Sequence, residues 1–448
     1  MTPQDCLGNP VHLQDRASLA PLDDFVGGFI ACEARAVNIL AAADRDRSAI
    51  VQACCAALHM FAESREGPLH ARPFIEAARA SAPLASEREQ RFVEAIACWV
   101  DGDIARAMVL HDEQARLHPR DLVSVKLGQY HRFNIGDAVG MLRLAQAALP
   151  ACGDVAQMHG MAAFAWEQCH LLTQAEAAAR QALSMTEREP WAQHALAHVM
   201  LTQGRLREGL QFMEHGSASW TQLNSFMVTH NWWHLALFAI DLGLDELALK
   251  TYDEQVWGVV KSYSQDQIGA VSLLARLELA GIDVGDRWQD VADHIALRLD
   301  DQVLPFLDLQ YLYGLARAGR PQAQTLLDNI ERRGAQAASG GDHGGAANAI
   351  WQQVAVPAAH GLMAHARGRH AQAIDALGQA LPQLLRIGGS HAQRDLFEQI
   401  HLDALMRAGH WNAAQQQLQP RVNQQPESLR LRRMAQRCYS TLGLAVSA

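Results

Sequence analysis

Apolar residues recur at steps of three and four along almost the whole chain, in segments rich in Ala, Leu, Gln, Glu and Arg. That step lays one apolar stripe along each segment, which predicts helices buried on one face. Alternating runs of Val, Ile and Thr, which predict strands, are nearly absent. Between the helical segments, glycine marks turns at regular intervals. Gly102 and Gly136 lie 34 residues apart, and Gly204 follows 68 residues later. Gly243, Gly281 and Gly319 come at steps of 39, 38 and 38, and Gly368 and Gly409 continue the series less evenly. Small residues follow these turns, as in Ile104-Ala105-Arg106-Ala107 and Glu246-Leu247-Ala248-Leu249. They let two antiparallel helices approach closely, while glycine takes the conformation that reverses the chain.

A period of 34 is that of tetratricopeptide repeats, and the longer steps are elongated versions of it. The expected fold is therefore all-α, a tetratricopeptide-like helical-repeat solenoid of antiparallel helix pairs. Each pair exposes an apolar face that only its neighbours can cover. Residues 1–85 are helical without a repeat turn and read as an N-terminal cap. Residues 86–260 read as the regular repeats and 261–448 as degenerate ones. The Gly-rich run at 338–345 reads as a loop between helix pairs.

Composition narrows the function classes. The 448 residues carry a net charge of −10, with Lys and Arg scattered rather than clustered. That predicts neither a nucleic-acid surface nor one for anionic membranes. No apolar stretch is long enough to span a bilayer, and Met1-Thr2-Pro3-Gln4-Asp5-Cys6 does not open a secretory signal. The eight cysteines show no C-x-x-C spacing, which predicts reduced, mostly buried thiols in a cytoplasmic protein. No phosphate-binding loop, G-x-S-x-G elbow or dinucleotide fingerprint is present. Any chemistry is then cofactor-free or metal-dependent.

Two histidine pairs carry the chemistry. His194-Ala195-Leu196-Ala197-His198 and His230-Asn231-Trp232-Trp233-His234 are each spaced i, i+4 and begin 36 residues apart. Each pair falls on one helix face, and equivalent helices of neighbouring repeats bring the four rings toward one surface. Neutral imidazole both takes and gives a proton near working pH, which suits an acidic heterocycle or hydroxyl. Trp232 and Trp233 offer flat surfaces to a planar ligand, with one of the two expected to pack between repeats. Asn231 offers a donor and an acceptor. Arg394 is expected to fix an anionic group and Asp395 to orient a histidine, both following Gly388-Gly389-Ser390. The competing expectation there is a structural turn at a helix start. In a metal alternative, His194, His198, His230 and His234 hold Zn or Fe, with Glu214 or Asp395 supplying a carboxylate. Both pairs lack the Glu of the H-E-x-x-H pattern, so the preferred reading has no cofactor. The remaining histidines, including His131 and His391, read as incidental.

The stretch from Trp191 to Gln255, the segment Gly285-Asp286-Arg287-Trp288-Gln289-Asp290-Val291, and Gly388-Gly389-Ser390-His391-Ala392-Gln393-Arg394-Asp395-Leu396-Phe397 resemble, in that order, the tetratricopeptide-repeat protein 38 family. The resemblance covers nearly the whole chain after the first few dozen residues. Its G-G-S-x-A-Q-R-D segment is foreign to ordinary tetratricopeptide repeats. The resemblance implies a helical-repeat fold but no settled activity. A bacterial branch is associated with natural-product pathways, azapteridine (toxoflavin-type) biosynthesis among them, where it implies a cofactor-independent oxidase.

Two functions follow as expectations. One is a small-molecule protein whose concave histidine pocket binds a planar heterocycle and oxidises it or moves its proton. The other is a non-catalytic scaffold that binds a protein or peptide partner.

Overall fold

The computed structural model describes residues 2–336 and 349–446, so the Gly-rich run at 338–345 lies outside the described residues. Among the described residues no sheet forms, only isolated bridges pairing Gln4 with Pro10 and Glu33 with Leu223. The all-α helical-repeat architecture expected from the sequence is the one observed. By its internal contacts the chain falls into two compact units, Met1–Leu196 with Ser219–Met227, and Ala197–Ala218 with Val228–Ala448.

The first unit contains α1 (Leu19–Ile30), α2 (Ala49–Met60), α3 (Gly67–Ser81), α4 (Glu87–Val100), α5 (Ile104–Leu117), α6 (Leu122–Asn134), α7 (Ala138–Ala148), α8 (Ala156–Gln168) and α9 (Leu172–Met185). The chain passes between units within α10 (Pro190–Thr202) and α12 (Ser225–Asp241). The second unit adds α11 (Leu206–Ser217), α13 (Asp245–Thr251), α14 (Ser264–Leu279), α15 (Arg287–Ile295), α16 (Pro305–Arg317) and α17 (Gln322–Gln336). It ends with α18 (Val356–Ala366), α19 (His370–Ala380), α20 (His391–Arg407), α21 (Trp411–Gln424) and α22 (Leu429–Leu442).

The turn glycines act as the spacing predicts. Gly102, Gly136, Gly204, Gly243, Gly281, Gly319, Gly368 and Gly409 all have φ between +69° and +86°, the left-handed conformation that ends a helix and reverses the chain. After two of these turns an aspartate starts the next helix. Asp103 accepts from the Arg106 backbone N–H at α5, and Asp137 from that of Gly140 at α7. Small residues then set how closely helices pack. A Cβ on Gly209 of α11 would lie 2.3 Å from the Phe238 ring of α12.

In the first unit the N-terminal segment is helical, and α1 packs against α6. Residues ahead of α1 are tied to the turn before α6. Arg120 Nε donates to the Leu7 carbonyl at 2.9 Å, and Asn9 Nδ2 donates to the Arg120 carbonyl at 3.1 Å.

The second unit is built round a large apolar core, from Trp233 on α12 to Ile400 on α20, with a smaller one from Leu402 to Tyr439 among its last helices. Its last helices return to its first. Gln424 and Gln425 donate to the carbonyls of Thr202 and Leu201 at 2.7 and 2.8 Å. Ser428 and Arg430 both bond Asp241 at the end of α12, at 2.7 and 2.9 Å. Across the middle, α14 packs against α20. The C-terminal helices thus close the second unit on itself.

All eight cysteines are free thiols, most of them buried. Among the described residues no helix is long and apolar enough to cross a membrane.

Candidate functional site

The second unit holds a buried histidine centre. His198 comes from α10, and His230 and His234 from successive turns of α12. His198 and His234 are fully buried and His230 is 8% exposed. Each offers a ring nitrogen, and these nitrogens lie within 4.8 Å of one another. The rings pack edge to face: His198 and His234 have centroids 4.5 Å apart, and His230 and His234 4.9 Å. Burial, and after it the neighbouring His198, pushes the His230 imidazole down to about 3. The ring is therefore neutral in the folded protein at neutral pH.

Aromatic and polar groups surround the rings. Trp233 stacks on His230 at 5.3 Å with planes 7° apart, and meets His234 edge-on at 4.8 Å. The Arg276 guanidinium of α14 lies 5.1 Å from the Trp233 ring centroid. Arg276 is itself buried, which lowers its guanidinium to about 10, with Asp395 opposing the shift. It donates to Ser272 Oγ and to the Ala392 carbonyl of α20, each at 2.6 Å. Asn231 is fully buried, yet neither its amide nitrogen nor its amide oxygen has a hydrogen-bond partner among the described residues. The Trp233 indole N–H is in the same state. Buried polar atoms are nearly always bonded, so these atoms are available to a ligand or a bound water.

The G-G-S-x-A-Q-R-D segment explains itself residue by residue. Gly388 and Gly389 have φ of +80° and +76°, and a Cβ on Gly389 would lie 2.8 Å from the Phe306 ring. Ser390 caps α20 by accepting from the Gln393 backbone N–H, while the Gln393 side chain accepts from that of Ser390. Arg394 donates to the Gly388 and Gly389 carbonyls and so ties down its own turn. This start places His391 with its ring 5.3 Å from His198. It also aims the Ala392 carbonyl at Arg276.

The expected site residues therefore divide. His198, His230, His234, Asn231 and Trp233 come together in the second unit, and Trp233 is the tryptophan that packs into the core. Trp232 is partly buried against that core. His194 stands one turn before His198 on α10 but belongs to the first unit, where its ring packs on Trp191 and Phe164 at 4.9 and 5.2 Å. Glu214 is exposed on α11, turned to solvent and away from buried rings. Asp395 orients no histidine. It accepts from Gln399 and pairs with Arg421, both at 2.6 Å. Burial alone would raise its carboxyl, but Arg421 and Arg276 outweigh that and hold it well below the usual range. The rings are also buried rather than lining an open concave wall.

Two residues at the centre escape the sequence reading. His391 looked dispersed, although it lies inside the most specific segment of the chain. Arg276 had a signal: a lone cation among Leu273, Leu274, Ala275 and Leu277 falls where helical spacing expects a buried residue.

No family model matches the chain. Among solved structures it is similar to one titled "Structure of Naa15/Naa10 bound to HypK-THB", at 12% identity, over 96% of this chain and 69% of that one, with a TM-score of 0.26.

Proposed function

We propose that the second unit is an enclosed small-molecule site, working by proton transfer on a planar, acidic heterocycle, and that the chain is a member of the tetratricopeptide-repeat protein 38 family. One observation carries the functional reading: three imidazoles converge in a buried centre next to an Asn231 amide that bonds nothing among the described residues. A peptide groove needs an open surface, whereas these rings are buried in a unit whose last helices return to its first.

The chemistry follows from the parts. Asn231 and the Trp233 N–H supply a donor–acceptor edge of the kind a heterocyclic amide pairs with. The His198–His234 pair takes the ligand's N–H or O–H proton, and the positive charge is shared between adjacent rings and the Trp233 face. Arg276 favours the anion left on the ligand. In the oxidase form, the deprotonated ring passes two electrons and its remaining proton to O₂, which with the first proton leaves as hydrogen peroxide. A toxoflavin-like pathway would supply such a substrate.

Thermal-shift and calorimetric titrations of metal-free protein with pteridines, purines and phenols test this. At least one planar acidic class is expected to bind saturably, and Asn231→Leu should weaken it by about tenfold or more, the effect of losing buried polar contacts. No response to any class, or equal binding by Asn231→Leu, would overturn the reading.

A further inference from the structure

We propose that His198, His230 and His234 hold one divalent transition-metal ion, zinc or ferrous iron, through one ring nitrogen each, and that its open position takes an anionic planar ligand. This rests on reading the same histidines as a functional site; it gives that site a metal and its ligand a charge, and it moves the proton acceptor from the His198–His234 pair to His391.

The geometry leads the argument. Two ligands at i, i+4 on α12 and a third from α10 give a three-histidine set whose nitrogens already lie within 4.8 Å of one another. Bound imidazole nitrogens sit ~2.0–2.1 Å from zinc, which puts them roughly 3.3 Å from each other in a tetrahedral site. Each ring therefore needs to move inward by about 1 Å or less. Three protein ligands with a fourth position left open is the arrangement of catalytic rather than structural zinc. Imidazole nitrogen suits zinc and iron, and the hard alkaline-earth ions poorly.

Charge then selects the ligand. All three donors are neutral, so the ion brings its full double charge into a buried place. Of the second unit's buried carboxylates, Asp241 is paired with Arg430 and Asp395 with Arg421, and Asp266 accepts from Thr229, next to His230, and from the Val260 N–H. Arg276 over the Trp233 ring adds further positive potential. Hydroxide or a deprotonated heterocycle balances this charge better than a neutral occupant does. The metal would also make a bound N–H or O–H more acidic, with the proton released within reach of His391 beside His198.

The test uses the full chain without a histidine tag, stripped by chelator and reloaded with zinc or cobalt(II) alone. One ion per chain is expected by mass spectrometry of the metal, with cobalt ligand-field bands of a four- or five-coordinate site. His198→Ala and His234→Gln should each weaken binding by more than about tenfold while circular dichroism shows a retained fold. The exposed His215 serves as a control, and His215→Ala should bind like the parent. Absence of stoichiometric metal, a six-coordinate aquo-like cobalt spectrum, or binding that survives both His198→Ala and His234→Gln would overturn the metal. A cobalt spectrum shifted by neutral heterocycles but not by anionic ones would overturn the ligand charge. If metal-free protein binds heterocycles and takes up no ion, this inference fails while the small-molecule site stands. If it holds the ion and its anions but metal-free protein binds no heterocycle, the metal stands and the metal-free site fails.

Discussion

A guanidinium among leucines is costly to bury, and Arg276 is held there by what it bonds. Its bond to the Ala392 carbonyl ties the backbone of α20 to α14, its bond to Ser272 holds it on its own helix, and the cation stays over the Trp233 ring. Arg276→Met is expected to leave the Ala392 carbonyl without its donor and to destabilise the fold by about 1–3 kcal/mol in urea denaturation. An unchanged midpoint would mean that the stack positions nothing. At this scale the sequence was half legible. The i, i+4 histidines announce themselves because helical spacing is local. The roles of Arg394 and Asp395 do not, since both kinds of side chain serve equally well as ligand groups or as ties to a turn and to a distant Arg421. Which role each plays depends on partners that no local spacing encodes.

At the element scale the helix pairs were readable because most of the turns carry a glycine with positive φ, whose spacing is that of the repeats; between α8 and α9 His170 takes that conformation instead, at φ +57°, and the glycine series skips a period. Irregular pieces were not readable. The π turn at Tyr252–Val256 and the 3-10 run Ala34–Ala42 arise from packing rather than from local preference. Helix starts also hide two buried acids. Asp308 in the first turn of α16 is driven by burial from 3.8 to about 8, with Gln302 donating to it and pulling the other way. Glu189 just before α10 is driven by burial from 4.5 to about 7 against the pull of the Ala192 N–H. Folding favours the protonated form of both. The stability this gives is complete below their unfolded values and is lost as pH rises through 7 and 8. Buried His111 runs the opposite way: burial lowers it from 6.5 to about 3, so its contribution is complete above 6.5 and is lost as pH falls. Between pH 6.5 and 8 the carboxyls act alone among these groups. The thermal midpoint should therefore fall over that interval, and Asp308→Asn should fall less. Parallel curves for parent and variant would show that Asp308 does not titrate there.

At the scale of the whole molecule, contacts between residues far apart in the chain decide what the repeats become. The division into two units falls inside α10 and α12, where unbroken helical periodicity gives the sequence nothing to signal a boundary. The closure of the second unit is equally silent, because Asp241 meets Arg430 across 189 residues of chain. Asp241→Ala would leave that buried guanidinium without its counter-charge and is expected to cost about 3–5 kcal/mol. Faster hydrogen exchange along α22 than along α16 would locate the loss at the closure, and uniform exchange would argue against it. The closure has a consequence for how such a chain can change. An open array gains or loses a helix pair at its end and keeps the rest, so its length drifts freely among descendants. Here Gln424 and Gln425 reach Leu201 and Thr202 only when the intervening pairs sum to the right rise and turn. Duplicating or deleting one pair between α13 and α20 would put the ends out of phase. The second unit is thus locked to its repeat number.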